Sequence, residues 1–175
     1  GHPSTFGRPE RRNHAAMRDA LAVARLKDAG AVVFGKTNVP KDLGDWQSFN
    51  EVYGDTATPW DHARTPGGSS GGAAAALAAG LTGLELGSDI AGSIRIPAHY
   101  CGVYGHKPTY GIVPVRGHAM DLDDAVADIN VAGPLARRAD DLSLSLDILA
   151  GADPESNGGW RLDLPAEPRR SLREF

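Results

Sequence analysis

The chain is short of several things, and each shortage excludes something. It has one cysteine, Cys101, among 175 residues. An internal disulfide is therefore excluded, and so is a cysteine metal cluster. No metal or cofactor is expected. A lone thiol fits a reducing compartment, so the expected location is cytoplasmic. Long apolar runs are missing too. The stretch from Ala73 to Leu81 is too short, and too rich in Ala and Gly, to span a bilayer, which takes about 18 apolar residues. The opening Gly1-His2-Pro3-Ser4-Thr5 lacks a basic segment followed by an apolar one, so no signal peptide is expected there. Blocks of Lys and Arg are absent. Arg11-Arg12, Arg137-Arg138 and Arg169-Arg170 are only pairs, and they read as solvated faces. With a formal net charge of -4, neither a nucleic acid nor a membrane is an expected partner.

What is present suits one soluble domain with a sizeable core. The chain is 41% hydrophobic and 23% charged, which argues against disorder. Apolar positions Met17, Leu21, Val23, Ala24 and Leu26 predict a helix from His14 to about Ala29, stopped by Gly30. Ala31-Val32-Val33-Phe34 reads as a short buried strand on which that helix packs. Residues 37–66 form a long polar loop, of the kind that often carries function. A small-residue helix follows from about Gly71 to Gly80, buried tightly against a neighbour. Leu84 to Gly87 reads as a strand, and Ser93 to Tyr100 opens a helix. Val103 to Gly105 and Gly111 to Val115 read as strand pieces. Residues 116–133 read as acidic loop. Asp140 or Asp141 is expected to cap a helix ending at Leu149, with Leu142, Leu146 and Leu149 on one stripe. Residues 151–170 read as linker, and no element is expected at Leu172 to Phe175. Helices alternating with buried strands place the chain in the α/β class.

Glycine is plentiful, with 22 residues, and two glycine-rich segments each hold an exposed-looking serine. The first is Pro66-Gly67-Gly68-Ser69-Ser70-Gly71-Gly72. The second is Gly87-Ser88-Asp89-Ile90-Ala91-Gly92-Ser93-Ile94-Arg95-Ile96-Pro97-Ala98. Small residues leave backbone N–H groups bare, and a serine beside such groups suits acyl transfer. A phosphate loop needs Lys-Ser/Thr after the glycines, and Ala73-Ala74 stands there instead. Gly67 to Gly71 fits the G-x-S-x-G elbow, but that elbow follows directly on a buried strand. Here Trp60 to Pro66 precedes it, and that segment does not read as one.

Taken together, with Ser69 and Ser93 standing 24 positions apart, the two segments resemble the amidase signature family. Its pattern, GGSSGG followed by GSD-x-GGSIR-x-P, is matched almost position for position. Gly35-Lys36-Thr37-Asn38, Tyr100-Cys101-Gly102, His106-Lys107-Pro108-Thr109-Tyr110-Gly111 and Gly133-Pro134-Leu135-Ala136-Arg137 also look like family segments.

The resemblance implies a fold and a mechanism. The fold is an α/β/α sandwich around a mixed β-sheet. The chemistry is hydrolysis of carboxylic amide C–N bonds through a serine acyl-enzyme, by a Ser–cis-Ser–Lys relay and without a cofactor. Ser93 is the implied nucleophile and Ser69 the bridging serine, after a cis Gly68–Ser69 bond. The N–H groups of Ile90, Ala91, Gly92 and Ser93 are the implied oxyanion hole. The N-terminal end of the small-residue helix is expected to favour negative charge near the serines. Their hydroxyls are expected to lie within about hydrogen-bond reach.

The relay lysine of the family falls upstream of Gly1. None of Lys27, Lys36, Lys41 or Lys107 sits in its motif. The chain is therefore expected to be an internal piece. Residues 1–150 are a partial amidase core, and 151–175 a linker toward a further half. It is expected to be inactive alone, and a non-catalytic remnant or binding module is the alternative. The implied partner is a small-molecule amide, and a homodimer is compatible with these features.

Departures from the pattern are small. Ala91 replaces a common Gly, Ala73 a frequent Ser, and Glu85 a small residue. Ile90 and Ile96 stand where the tRNA-dependent amidotransferase subunits of the family carry Thr and Gln, which favours a general amidase. Other residues receive supporting roles. Lys36 reads as structural, His106 and His118 as turn histidines, and Cys101 as a small buried hydrophobe. Arg95 is expected to anchor the segment after the nucleophile through an ion pair.

Overall fold

A computed structural model describes residues 2–118, 128–155 and 161–163. Among these, the elements run α1 (Leu21–Asp28), β1 (Phe49–Asn50), β2 (Gly54–Asp55), α2 (Gly71–Ala78), β3 (Leu84–Asp89), α3 (Arg95–Cys101), β4 (Tyr104–Gly105), β5 (Val131–Ala136) and α4 (Ala139–Leu149). β1 and β2 form a small antiparallel hairpin. The main sheet has the order β3-β5-β4, and both of its pairings are antiparallel.

β5 is buried along its whole length, and its side chains feed two cores. Leu135 joins Ala73, Ala74, Leu77, Ile94, Ala98 and Cys101 on the face covered by α2 and α3. Ala132 points the other way, to Ala22, Leu26, Val113 and Leu149 from α1, α4 and the intervening loop. Helices thus cover both faces of the sheet, which gives the expected α/β layering. A leucine as fully buried as Leu77 or Leu135 contributes about 1.5–3 kcal/mol.

α2 is the helix the small residues predict. It is buried from Gly71 through Leu77. A Cβ at Gly72 would stand 2.4 Å from both the N and the O of Asn38, so only glycine permits this approach. Ala and Gly here set a backbone-to-backbone distance rather than a helical preference.

Several expectations are corrected. First, α1 begins at Leu21 rather than His14. Ala20 is extended (φ -62, ψ 149), and Met17 is 93% exposed. Tertiary contacts hold Ala20 there. Leu21 N–H donates to the Arg116 carbonyl at 3.0 Å, and Gly117 lies flat against Ala20. α1 accordingly packs on α4.

Second, 31–34 is not a strand. Val32 is 84% exposed and Phe34 69%, because no described strand pairs with this segment. Residues 111–115 likewise form turns instead of a strand, with Ile112 N–H closing on the Thr109 carbonyl.

Third, the acidic-loop reading of 116–133 runs over the start of β5, while residues 119–127 lie outside the described residues. Pro134 sits inside this central strand. Its carbonyl accepts from His106 N–H at 3.0 Å, but it has no N–H to return, and β4 ends one residue earlier.

Fourth, α4 is capped by neither aspartate. Arg138 is its N-cap, and Asp140 and Asp141 lie in the first turn, where the helix dipole favours them. Within the expected linker, Arg25 donates to the Leu149, Gly151 and Ala152 carbonyls. Arg116 pairs with buried Asp153 at 2.8 Å. Residues 151–155 are thereby tied to the core. Residues 156–160 and 164–175, including Leu172 to Phe175, lie outside the described residues.

Candidate active site

The two serine segments meet where β3 ends. Ser70 N–H donates to the Ser93 carbonyl at 3.0 Å, which joins the first loop to the second. Ser70 Oγ lies 3.4 Å from Ser88 N and 3.5 Å from the Ser88 carbonyl, near the end of β3. Gly87 permits this, since a Cβ there would stand 2.6 Å from Ser70 Oγ. Ser69 is 2% exposed, whereas Ser93 is half-buried. The Gly68–Ser69 peptide bond is cis. No hydrogen bond joins the Ser69 and Ser93 hydroxyls among the described residues.

Asp89 organises the second segment. Its side chain is fully buried and accepts five hydrogen bonds. Three come from backbone N–H groups: Gly92 at 2.7 Å, Ile94 at 3.0 Å and Arg95 at 3.3 Å. Two come from the Arg95 guanidinium, at 3.1 and 3.0 Å. Burial alone pushes this carboxyl up, but Arg95 and the three N–H donors outweigh it and hold the group below the usual carboxylate range. Arg95 thus makes the ion pair expected of it.

The same bonds correct the oxyanion set. Gly92 N–H is engaged by Asp89, so it is not a free donor. The N–H groups of Ile90, Ala91 and Ser93 have no acceptor among the described residues. Ile90 and Ala91 are exposed residues. Gly92 has φ +112, a conformation that glycine alone adopts freely.

The N-terminal end of α2 adjoins the serines, with Ser70 as its N-cap, and its first N–H groups are bonded within the protein. Gly71 N–H donates to Ser48 Oγ at 3.1 Å, and Gly72 N–H to the Asn38 carbonyl at 3.1 Å. These two N–H groups are satisfied within the protein. Ser48 and Asn38 lie in the long loop, where no pattern in the sequence marked them as parts of the site. Asn38 also donates to Gly54 and Thr56 and accepts from Asn50, bracing the β1–β2 hairpin against α2.

The remaining candidates lie apart. Lys36 Nζ donates to Ser4 Oγ at 2.9 Å, and burial lowers its pKa. Lys27 pairs with Asp19, and Lys107 bonds the Pro108 carbonyl. No lysine bonds either serine among the described residues. Burial lowers both His106 and His118, which keeps them neutral without placing them at the serines. Cys101 is fully buried, and burial pushes its thiol up, as suits an inert hydrophobe. Among the described residues, no cluster of His, Cys, Asp and Glu is arranged to hold a metal. No helix is long and apolar enough to cross a membrane among them.

Comparison with known proteins bears on this geometry. The family model described as Amidase matches residues 1–168. A glutamyl-tRNA(Gln) amidotransferase subunit of Deinococcus radiodurans is 43% identical over 169 residues, covering 95% of this chain and 33% of the relative. Its Thermus thermophilus counterpart is 45% identical over 175 residues, covering 98% and 35%. Among solved structures, 6-aminohexanoate cyclic dimer hydrolase superposes with a TM-score of 0.84 at 36% identity, covering 96% of this chain and 35% of that one. A bacterial aryl acylamidase does so with a TM-score of 0.83 at 31% identity, covering 94% and 34%. The chain spans about a third of the length of the curated relatives it matches.

Proposed function

The chain belongs to the amidase family, and from that premise we propose that it is the serine-bearing part of an amidohydrolase. Ser93 Oγ attacks the amide carbonyl and forms an acyl-enzyme, with loss of the amine. Ser69 relays the proton of Ser93 to a base and returns it to the leaving amine. Water then releases the acid. The free N–H groups of Ile90, Ala91 and Ser93 are the donors for the oxyanion. The base of this relay is a neutral lysine, which a desolvated site supplies near neutral pH. Among the described residues no lysine bonds either serine, and on this reading the base is supplied by a longer protein that carries this segment.

One observation carries the reading. The Ser70 N–H to Ser93 carbonyl bond draws the two serine segments together, beside a loop whose N–H groups Asp89 leaves partly free. The relatives named above include both amidotransferase subunits and hydrolases. Ile90 and Ile96, which stand where the amidotransferase subunits carry polar residues, support hydrolysis of a small-molecule amide. The test is covalent labelling of the longer protein that carries this segment with a fluorophosphonate probe, followed by peptide mapping. Label is expected on Ser93 and is expected to vanish in Ser93→Ala. Label that persists unchanged in Ser93→Ala overturns the assignment.

A further inference from the structure

Ser48 touches the backbone on both sides of Ser69. Its hydroxyl donates to the Gly67 carbonyl at 3.0 Å and accepts from Gly71 N–H at 3.1 Å. These two partners flank the segment Gly68-Ser69-Ser70. Ser48 is 2% exposed, so water does not compete for either bond. The fit is close on every side. A Cβ at Gly71 would stand 2.3 Å from Ser48 Oγ, and one at Gly68 would stand 2.6 Å from the Asp45 carbonyl oxygen and 2.8 Å from Gln47 N. The stretch Asp45 to Ser48 therefore forms a wall against which the Ser69 loop is pressed, and Ser48 is its hydrogen-bonding clamp. A cap for α2 needs only the bond from Gly71. The second bond, to Gly67, fixes the other end of the loop, and capping does not account for it.

We propose that Ser48 is a positioning residue for the amidase reaction, acting through Ser69: it holds both ends of the Gly67–Gly71 loop so that the Ser69 hydroxyl sits where it can pass a proton between Ser93 and the base. This rests on the function proposed above. Its hydroxyl touches no reacting atom. An alanine at this position leaves the Gly67 carbonyl and the Gly71 N–H unpaired in a buried site, and the loop shifts to satisfy them. A displacement of about 1 Å in a relay group is enough to cost about 10²-fold in rate.

The test compares rates of fluorophosphonate labelling at Ser93 in four forms of the longer protein that carries this segment: unaltered, Ser48→Ala, Ser69→Ala and the double variant. Thermal melts and amide hydrogen exchange are followed in parallel. Ser48→Ala is expected to slow labelling about 10²-fold. In the Ser69→Ala background the same change is expected to have no further effect, because the group it positions is gone. Exchange at the Gly71 amide is expected to rise about tenfold or more, while the Leu77 amide within α2 stays protected.

Labelling of Ser48→Ala at the unaltered rate overturns the proposal. So does an equal slowing in both backgrounds, which marks a general loss of structure. If label in the unaltered protein is not on Ser93, the amidase reading is what fails. Gly71 exchange then decides separately whether Ser48 holds the loop, and unchanged exchange rejects that hold.

Discussion

At the residue scale, the second serine segment depends on one carboxylate. Asp89 accepts three backbone N–H groups and the Arg95 guanidinium while fully buried, whereas Arg95 itself is about half exposed. The backbone bonds therefore matter more than the ion pair, which solvent screens on the arginine side. Asp89→Ala leaves buried donors unpaired and is expected to destabilise the protein by about 2–4 kcal/mol, read from denaturant midpoints. Arg95→Gln, which retains those backbone bonds, is expected to cost under about 1 kcal/mol. The pH dependence has a definite sign. The folded carboxyl titrates below its unfolded value, so its contribution is complete above the ordinary carboxylate range. It is lost as pH falls through the lowered folded value. The gap in stability between the protein and Asp89→Asn is expected to close on acidification through that window. A gap that stays constant down to strong acid contradicts this account.

At the element scale, α2 and β3 show opposite relations between sequence and packing. In α2 the residue type is dictated by distance. Gly72→Ala sets a Cβ against the backbone of Asn38, which has no flexible side-chain end to move aside. It is expected to abolish folding or to lower the melting temperature by well over about 10 °C, whereas an exposed helical Gly→Ala change stabilises by about 1 kcal/mol. In β3, Glu85 is a charge placed partly inside. Burial raises its carboxyl pKa, so the ionised form is less favoured folded than unfolded. Stability then falls as pH rises from the ordinary carboxylate range through the raised value. Glu85→Gln is expected to stabilise the protein near neutral pH and to be without effect in acid, as melts across that range would show. Equal stability of the two forms at neutral pH counts against this reading.

At the scale of the whole molecule, apolar surface is left uncovered on one segment. Val32, Val33 and Phe34 stand in sequence and are all exposed, with Phe34 at 69%. Contiguous apolar surface of this kind drives association. The 175-residue chain is expected to self-associate with rising concentration, as light scattering would record. The pair Val32→Lys and Phe34→Glu is expected to reduce that association while leaving the melting temperature nearly unchanged, because neither side chain belongs to the two cores. A fall in stability equal to that of a core substitution would show that these residues are packed after all.

Several features were legible in the residues before any fold was known: the chemistry-bearing segments, the small-residue helix, the helices near Ser93 to Tyr100 and up to Leu149, and a strand at Leu84 to Gly87, which runs on to Asp89. The reason is local. Bare glycines, an Ala-rich run and an alternating Leu-Glu-Leu carry their meaning within a few residues. Long-range packing settled what the residues misread. β5 contains Gly133 and Pro134, which locally argue against a strand, yet it is the central one because two neighbours and two helix layers enclose it. Ala20 would continue a helix, but Arg116 and Gly117 hold it extended. Ala31 to Phe34 has the composition of a buried strand and lies exposed, since burial depends on a partner and not on composition. The site divides in the same way. Ser69 and Ser93 stand out in their motifs, whereas Asp89 as the acceptor of Arg95 and three N–H groups is seen only in the fold. The engagement of Gly92 N–H by Asp89, and the clamp from Ser48 onto a loop some twenty residues later in the chain, arise only when the folded backbone sets distant donors and acceptors within about 3 Å.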